Sequence, residues 1–299
     1  MYLTHIVQEN ENFDNIKELL KTKFQISDRL LLKLKNNNKI LLNNKPANIK
    51  LPVNINDIIT VLLDLEEDNS NIVPTKINLN ILYEDDCFLI LNKPANVPVH
   101  PSMLHYENSL SNGVKYYFDT INLKKKIRPV NRLDKDTSGI VIFAKNEYIQ
   151  ECLIKQMQIN TFIKEYIAIC DGVLSETSGT INKPISRKAD SIIERCIDEN
   201  GDVSITHYNV TACNNNLSVV NIILETGRTH QIRVHFASIG NAVLGDTLYG
   251  CASDLISRQA LHSYKVSFIH PISLEKMEII APLYDDMKFV INEKIVINK

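Results

Sequence analysis

Residues 66–71 read Glu-Glu-Asp-Asn-Ser-Asn, a polar and acidic run without one apolar side chain. Such a run has nothing to bury, and its composition suits a linker. Extended to about Lys76, it divides the chain into a small unit, residues 1–70, a connection, 71–76, and a larger unit, 77–299. The length of 299 residues suits that division, because single cores seldom grow beyond roughly 250–300 residues.

In the small unit, Ile16, Leu19 and Leu20 have helical spacing behind Asp14 as a possible cap. Ser27 is placed to cap a second helix that carries Leu30, Leu31 and Leu34. Asn36-Asn37-Asn38 breaks that pattern, and two apolar stretches follow, Ile40–Leu42 and Ile58–Leu62. Asn43-Asn44-Lys45 between them suits a tight turn, since Asn tolerates positive φ. The expected order is helix, helix, hairpin.

The larger unit alternates short β-rich stretches with a helical one. Cys87–Leu91, Gly139–Ala144, Tyr166–Ile169 and Ser218–Leu224 read as strands, and Glu147–Met157 reads as a helix. The expected class is α+β, built on a mixed, largely antiparallel sheet flanked by helices. No internal repeat interrupts it.

Hydrophobic residues make up 44% and charged residues 23% of the chain, which excludes a disordered protein. A net charge of -2 supplies no overall pull on nucleic acid, so affinity for RNA has to come from local clusters of Lys and Arg. The six cysteines are scattered, with neither a C-x-x-C pair nor a Cys/His cluster of zinc spacing, and are read as reduced, mostly buried thiols. The first residues lack a basic stretch followed by an apolar run, and no later stretch approaches the roughly 20 apolar residues of a membrane span. A cytoplasmic protein is expected.

Three segments carry candidate chemistry. Arg132-Leu133-Asp134-Lys135-Asp136-Thr137-Ser138-Gly139 sets turn-forming and charged residues directly ahead of an apolar strand, and taken alone it reads as a surface turn. Thr226-Gly227-Arg228-Thr229-His230-Gln231-Ile232-Arg233-Val234-His235 gathers cationic and imidazole side chains after a strand. With Thr229 as its cap, a helix starting here puts Arg228 just outside an N-terminus that favours a carboxylate or phosphate; a solvated basic helix end is the alternative. His230 and His235 lie five apart with no acid or thiol to complete a metal site. Tyr166, in Lys164-Glu165-Tyr166, opens a strand, where an aromatic is either core, a stacking partner for a base or a participant in proton transfer.

Taken in order, these segments closely resemble the RluA-type pseudouridine synthases, whose signature around the nucleophile is H-R-L-D-x-x-T-S-G. The resemblance also takes in Leu91-Asn92-Lys93-Pro94, Val99-His100-Pro101, the Lys164-x-Tyr166 pair, Leu244 to Gly250, Arg258-Gln259-Ala260-Leu261-His262 and His270-Pro271, and so covers almost all of the larger unit. It implies the pseudouridine synthase fold. The small unit is similar to the RNA-binding domain named after a ribosomal small-subunit protein, the S-four domain, with Asn where glycine is usual at its turns.

The resemblance implies roles for particular residues. Asp134 is the catalytic aspartate, Tyr166 stacks on the target uracil, Arg228 is the ion-pair partner of Asp134, and Arg132 fills the gap left by a flipped nucleotide. Asn131, Lys164, His230 and Arg233 are expected against the RNA. A uridine in structured RNA has to leave its stack before its glycosidic bond can be reached, and a planar guanidinium can take the vacated place. The product is an isomer of the substrate, so no cofactor and no metal is expected. A monomer acting on large-subunit ribosomal RNA is expected, with transfer RNA as the alternative.

This chain departs from the family at Asn131, which stands for the usual His, and at Asn241-Ala242, which stand for the usual His-Pro. Two rival readings are an RNA-binding protein that keeps the fold without catalysis and acts in ribosome assembly, and a glycoside hydrolase that pairs Asp134 with Asp136.

Overall fold

The computed structural model describes residues 1–67, 70–103 and 105–295. Asp68 and Asn69, within the acidic run read as a linker, and residues 296–299, the end of the larger unit, lie outside the described residues.

The small unit opens on β1 (Tyr2–Ile6), followed by α1 (Ile16–Lys23), α2 (Asp28–Asn36), β2 (Ile40–Leu42), β3 (Lys45–Pro46) and β4 (Ile58–Leu62). Asn15 rather than Asp14 caps α1, its side chain accepting the Glu18 N–H at 3.1 Å, and Ser27 caps α2 as expected. Asn43 and Asn44 take positive φ in the tight turn, which joins β2 to the short β3. β2 then pairs with β4, and β1 closes the other edge to give the order β1-β4-β2-β3.

The larger unit continues with β5 (Ile81–Glu84), β6 (Phe88–Lys93), α3 (Leu110–Thr120), β7 (Arg128–Pro129), β8 (Ser138–Ala144), α4 (Glu147–Gln158) and β9 (Ile163–Asp171). Then come β10 (Ser178–Asn182), β11 (Ile185–Arg187), β12 (Arg195–Ile197), β13 (Ile205–Cys213), β14 (Leu217–Leu224), α5 (Gln231–Ala237), β15 (Leu261–Ile269), β16 (Lys276–Ile280) and α6 (Asp285–Val290). Its main sheet runs β10-β13-β14-β9-β15-β8-β6-β5, with β16 beside β15 and β7 beside β8. β15 and β8 pair in parallel and the other neighbours are antiparallel, so the fold is α+β on a mixed sheet, as expected.

Continuous apolar strands need cover on both faces. In β6 and β8, Phe88, Ile90, Ile140, Ile142 and Ala144 enter a cluster shared with α4 and with the small unit's Leu19, Leu30, Leu34 and Ile59. The alternate residues Leu89, Leu91, Val141 and Phe143 pack on Leu110, Val114 and Phe118 of α3. Polar ties add to this shared core. The Ser27 hydroxyl donates to Glu151 at 2.7 Å, Arg29 and Lys33 pair with Glu147, and Arg128 forks onto Glu67.

Of the six cysteines, Cys87 and Cys170 are buried, Cys152 and Cys196 half-buried, and Cys213 and Cys251 exposed, so the expectation of mostly buried thiols fails. Cys213 falls at the outer end of β13 and Cys251 in a loop, where nothing covers them. Among the described residues no helix is long and apolar enough to cross a membrane.

Candidate active site

Asn131 continues the β7–β8 ladder with its side chain, donating to the Ile140 carbonyl and accepting the Ile142 N–H, each at 2.9 Å. That clamp fixes the point at which the chain leaves the sheet for Asp134. A turn follows, closed by Thr137 N–H to the Asp134 carbonyl at 3.2 Å. Gly139 then enters β8 at φ 111°, so close to β15 that a Cβ would stand 2.2 Å from the Ser263 carbonyl oxygen. A side chain is excluded there on both counts.

Every residue of this turn after Asp134 is held from a distant segment. The buried Lys93 ammonium donates to the carbonyls of Pro94, Val97 and Lys135, all at 2.8 Å. Burial pushes Lys93 down to about 7 against the pull of Asp136, while three acceptors match the three N–H groups of an ammonium. Arg258, held by Asp286, donates to the Asp136 carbonyl, and Gln259 donates to the Thr137 hydroxyl. Ser138 bonds His262 Nδ1 at 2.8 Å. Lys93-Pro94 and Arg258 to His262, the segments of the resemblance that carried no chemistry in the sequence, therefore position the aspartate loop.

Asp134 faces a cleft of about 490 Å³ lined by Tyr166, Lys164, His230 and Arg233, with His100 and Arg132 also on its wall. Arg233 Nη1 donates to Asp134 Oδ2 at 3.0 Å, and its Nε and Nη2 fork onto the fully buried Asp246 at 2.6 and 2.8 Å. Burial works against the Arg233 charge, but the bonds and charge of Asp246, joined by Asp134, outweigh it and hold the guanidinium above its ordinary value. The Tyr249 ring lies 5.1 Å from the same guanidinium.

Arg228 does not make the pairing that the resemblance implied. Its Nε donates to the Val203 carbonyl at 3.2 Å and its Nη1 lies 3.9 Å from Asp202, with 44% of the side chain exposed at the cleft rim. The cause is the start of α5. Thr229 does not cap it; His230 takes the cap position in a left-handed conformation, φ 58°, without a side-chain cap bond. The Gln231 side chain instead accepts the Arg228 N–H and the Thr226 hydroxyl, which turns Arg228 away and leaves Arg233, one turn into the helix, on the Asp134 side.

His230 Nε2 lies 3.8 Å from Asp134 Oδ2, and its Nδ1 lies 2.8 Å from the Tyr249 hydroxyl. That hydroxyl also accepts the Arg195 N–H, and the imidazole tautomer with its proton on Nε2 directs an N–H at Asp134. Burial pushes His230 down, partly offset by the Asp134 charge. His235 is wholly buried, bonding Thr206 and the Lys183 carbonyl, and shares no ligand geometry with His230. Tyr166, on β9, is 7% exposed, and burial pushes its phenol up to about 12. Asp136 gives no second acid, its carbonyl being tied to Arg258 and its side chain lying outside the cleft lining.

Asp85, Cys87 and His270 form a metal-like grouping elsewhere. The carboxylate and the imidazole are already used, however: Asp85 accepts the Cys87 and Phe88 N–H groups and His270 Nε2, and His270 Nδ1 accepts the N–H groups of Ile272 and Ser273.

Comparison with known proteins bears on this geometry. A family model described as RNA pseudouridylate synthase matches residues 87–238, which span the Asp134 turn, Tyr166 and α5. The uncharacterized RNA pseudouridine synthase YjbO of Bacillus subtilis is 38% identical over 267 residues, 89% of this chain and 94% of that protein. The ribosomal large subunit pseudouridine synthase D of Haemophilus influenzae is 35% identical over 240 residues, 76% of this chain and 74% of that protein. The solved structure of human RNA pseudouridylate synthase domain containing 1 superposes with a TM-score of 0.58 at 28% identity, covering 69% of this chain and 84% of that one. The chain belongs to the RluA-type RNA pseudouridine synthases, isomerases that convert uridine to pseudouridine within RNA.

Proposed function

We propose that Asp134 is the catalytic nucleophile and that the substrate is a uridine of large-subunit ribosomal RNA. The observation that carries the first part is the Asp134 carboxyl group held at 3.0 Å by Arg233 in the cleft that Tyr166 faces. Support for the second is the name of relatives 34–35% identical to this chain, ribosomal large subunit pseudouridine synthase D.

In this reading the flipped uracil stacks on Tyr166 with its ribose against Asp134. The carboxyl oxygen bonds to C1′ as the bond to N1 breaks, its electron pair leaving with the uracil. The detached base turns over Tyr166, C5 bonds to C1′ in place of the aspartate, and the proton lost from C5 is balanced by one gained at N1. Arg233 replaces Arg228 as the partner that orients Asp134, and Arg228 becomes an RNA contact at the rim. Arg132, exposed on the loop beside Asp134, suits the space left by the flipped base. The small unit serves as an RNA-binding domain of S-four type, and the division at residues 71–76 is retained.

Pseudouridine mapping in cells lacking the protein tests both parts. One or a few sites in large-subunit ribosomal RNA should vanish, and the wild-type gene but not Asp134→Asn should restore them. Loss confined to transfer RNA would overturn the substrate, and rescue by Asp134→Asn would overturn the nucleophile.

A further inference from the structure

β9 directs Lys164 and Tyr166 off the same face, about 6.7 Å apart along the strand, and both line the cleft. Glu165, between them, points to the other face and pairs with Lys265 at 2.9 Å. Lys164 Nζ thus has no carboxylate from its own strand, and it makes no ion pair or hydrogen bond with the described residues. Gly227 leaves the space it occupies, since a Cβ there would stand 3.2 Å from Nζ.

The neighbouring cations are differently placed. Arg233 is committed to Asp246 and Asp134, Lys93 to three carbonyls, and Arg228 to Val203 and Asp202. A partly buried ammonium without a counter-ion is held at a cost in free energy, and burial alone pushes it down. The anion it lacks is one the ligand brings.

We propose that Lys164 is the ligand of the backbone phosphate of the nucleotide whose base lies on Tyr166. This rests on the reading of the cleft as the isomerisation site. A uracil is uncharged until its glycosidic bond breaks, whereas a phosphate is an anion throughout. An ammonium two residues along the strand from the stacking ring and beside Gly227, whose neighbour Arg228 lies at the rim, is where a nucleotide bound base-inward carries its backbone. Lys meets phosphate as a compact point charge and needs no planar fork.

The test uses the full chain and an unmodified in-vitro transcript of large-subunit ribosomal RNA. Kd is measured for Lys164→Met, Lys164→Gln and Lys164→Arg in the Asp134→Asn background, from about 50 to 200 mM salt, and KM and kcat are measured in the active background. Losing one phosphate contact should raise Kd roughly 10-fold at low salt and flatten the slope of log Kd against log salt by about 0.7–0.9. The loss should fall on KM rather than kcat, and Lys164→Arg should recover the slope. An unchanged slope, or a fall in kcat at unchanged Kd, overturns the proposal; the latter places the ammonium on the uracil. The binding arm needs no turnover, so an inactive wild-type protein would defeat the isomerase reading while leaving the Lys164 result to stand or fall by itself. Removing an unpartnered charge should leave Tm the same or higher, and a fall of more than a few degrees in both neutral variants would show that Lys164 serves the fold, against the proposal.

Discussion

Arg233 bridges two carboxyl groups, and the planar fork of a guanidinium, unlike the single nitrogen of an ammonium, holds Asp246 by two bonds from Nε and Nη2 while Nη1 reaches Asp134. Arg233→Lys should therefore keep the fold yet lower the single-turnover rate roughly 100-fold, the usual cost of losing one oriented hydrogen-bond donor at a reacting group. Arg228→Met should cost less than about 10-fold, mainly in KM. Equal losses would mean that the two arginines exchange roles once RNA binds. At position 131 a neutral imidazole also offers one donor and one acceptor, so it is able to meet the demand that Asn131 meets for Ile140 and Ile142. Asn131→Ala should lower stability by about 1–3 kcal/mol, while Asn131→His keeps most of it; thermal unfolding of the pair checks this. The order of motifs was enough to bring Asp134, Tyr166 and the α5 segment into one cleft. Which arginine faces the aspartate was not legible, because the helix start is set by the Gln231 clamp and the left-handed His230. Tyr249 and Asp246 escaped notice as site residues because their partners lie in other segments of the chain.

The Thr-Ser-Gly motif gains its reason from the approach of β8 to β15. Gly139→Ala has both a forbidden φ and a backbone clash at 2.2 Å, and should cost about 3 kcal/mol or more, or roughly 10 °C in Tm. A Tm within 2 °C of wild type would refute that account. Strands β6, β8 and β14 were readable as apolar runs, because each is buried through most of its length, and β9 was readable from its apolar segment Tyr166–Ile169. β15 was not, since its sequence mixes Leu261, Val266 and Phe268 with His262, Ser263 and Lys265. Its place is set by hydrogen bonds and close backbone packing rather than by hydrophobic pattern. α3 did carry a signal, Ser109 and Asn112 in a reciprocal cap ahead of Leu110, Val114 and Phe118 at helical spacing, though in a stretch rich in polar residues.

His262 ties the aspartate turn to the floor of the larger unit, with Nδ1 on Ser138 and Nε2 donating to the Ala281 carbonyl. Burial pushes it down from the ordinary 6.5 to about 4. The unfolded chain thus takes up a proton between those values that the folded chain refuses. This part of the stability is complete above pH 6.5 and is lost as pH falls through about 4, some 3 kcal/mol in order of magnitude. His262→Gln, which does not titrate, should flatten that stretch of the stability curve; an unchanged curve contradicts the assignment. The shared core also bears on removal of the first 70 residues. Besides weakening RNA binding, it should lower the Tm of the remainder, because Leu19, Leu30, Leu34 and Ile59 belong to the cluster that contains Ile140 and Ile142.

The parallel contact of β15 with β8 has a consequence for how the protein is made. β15 lies in the sheet between β8 and β9, yet it leaves the ribosome about a hundred residues after them. Through all of that synthesis both earlier strands present open edges, and the aspartate loop lacks Arg258, Gln259 and His262. A nascent chain stopped at Ser257 should therefore be trapped by aggregation or held by chaperones, and the cleft should take shape only after β15 has been made.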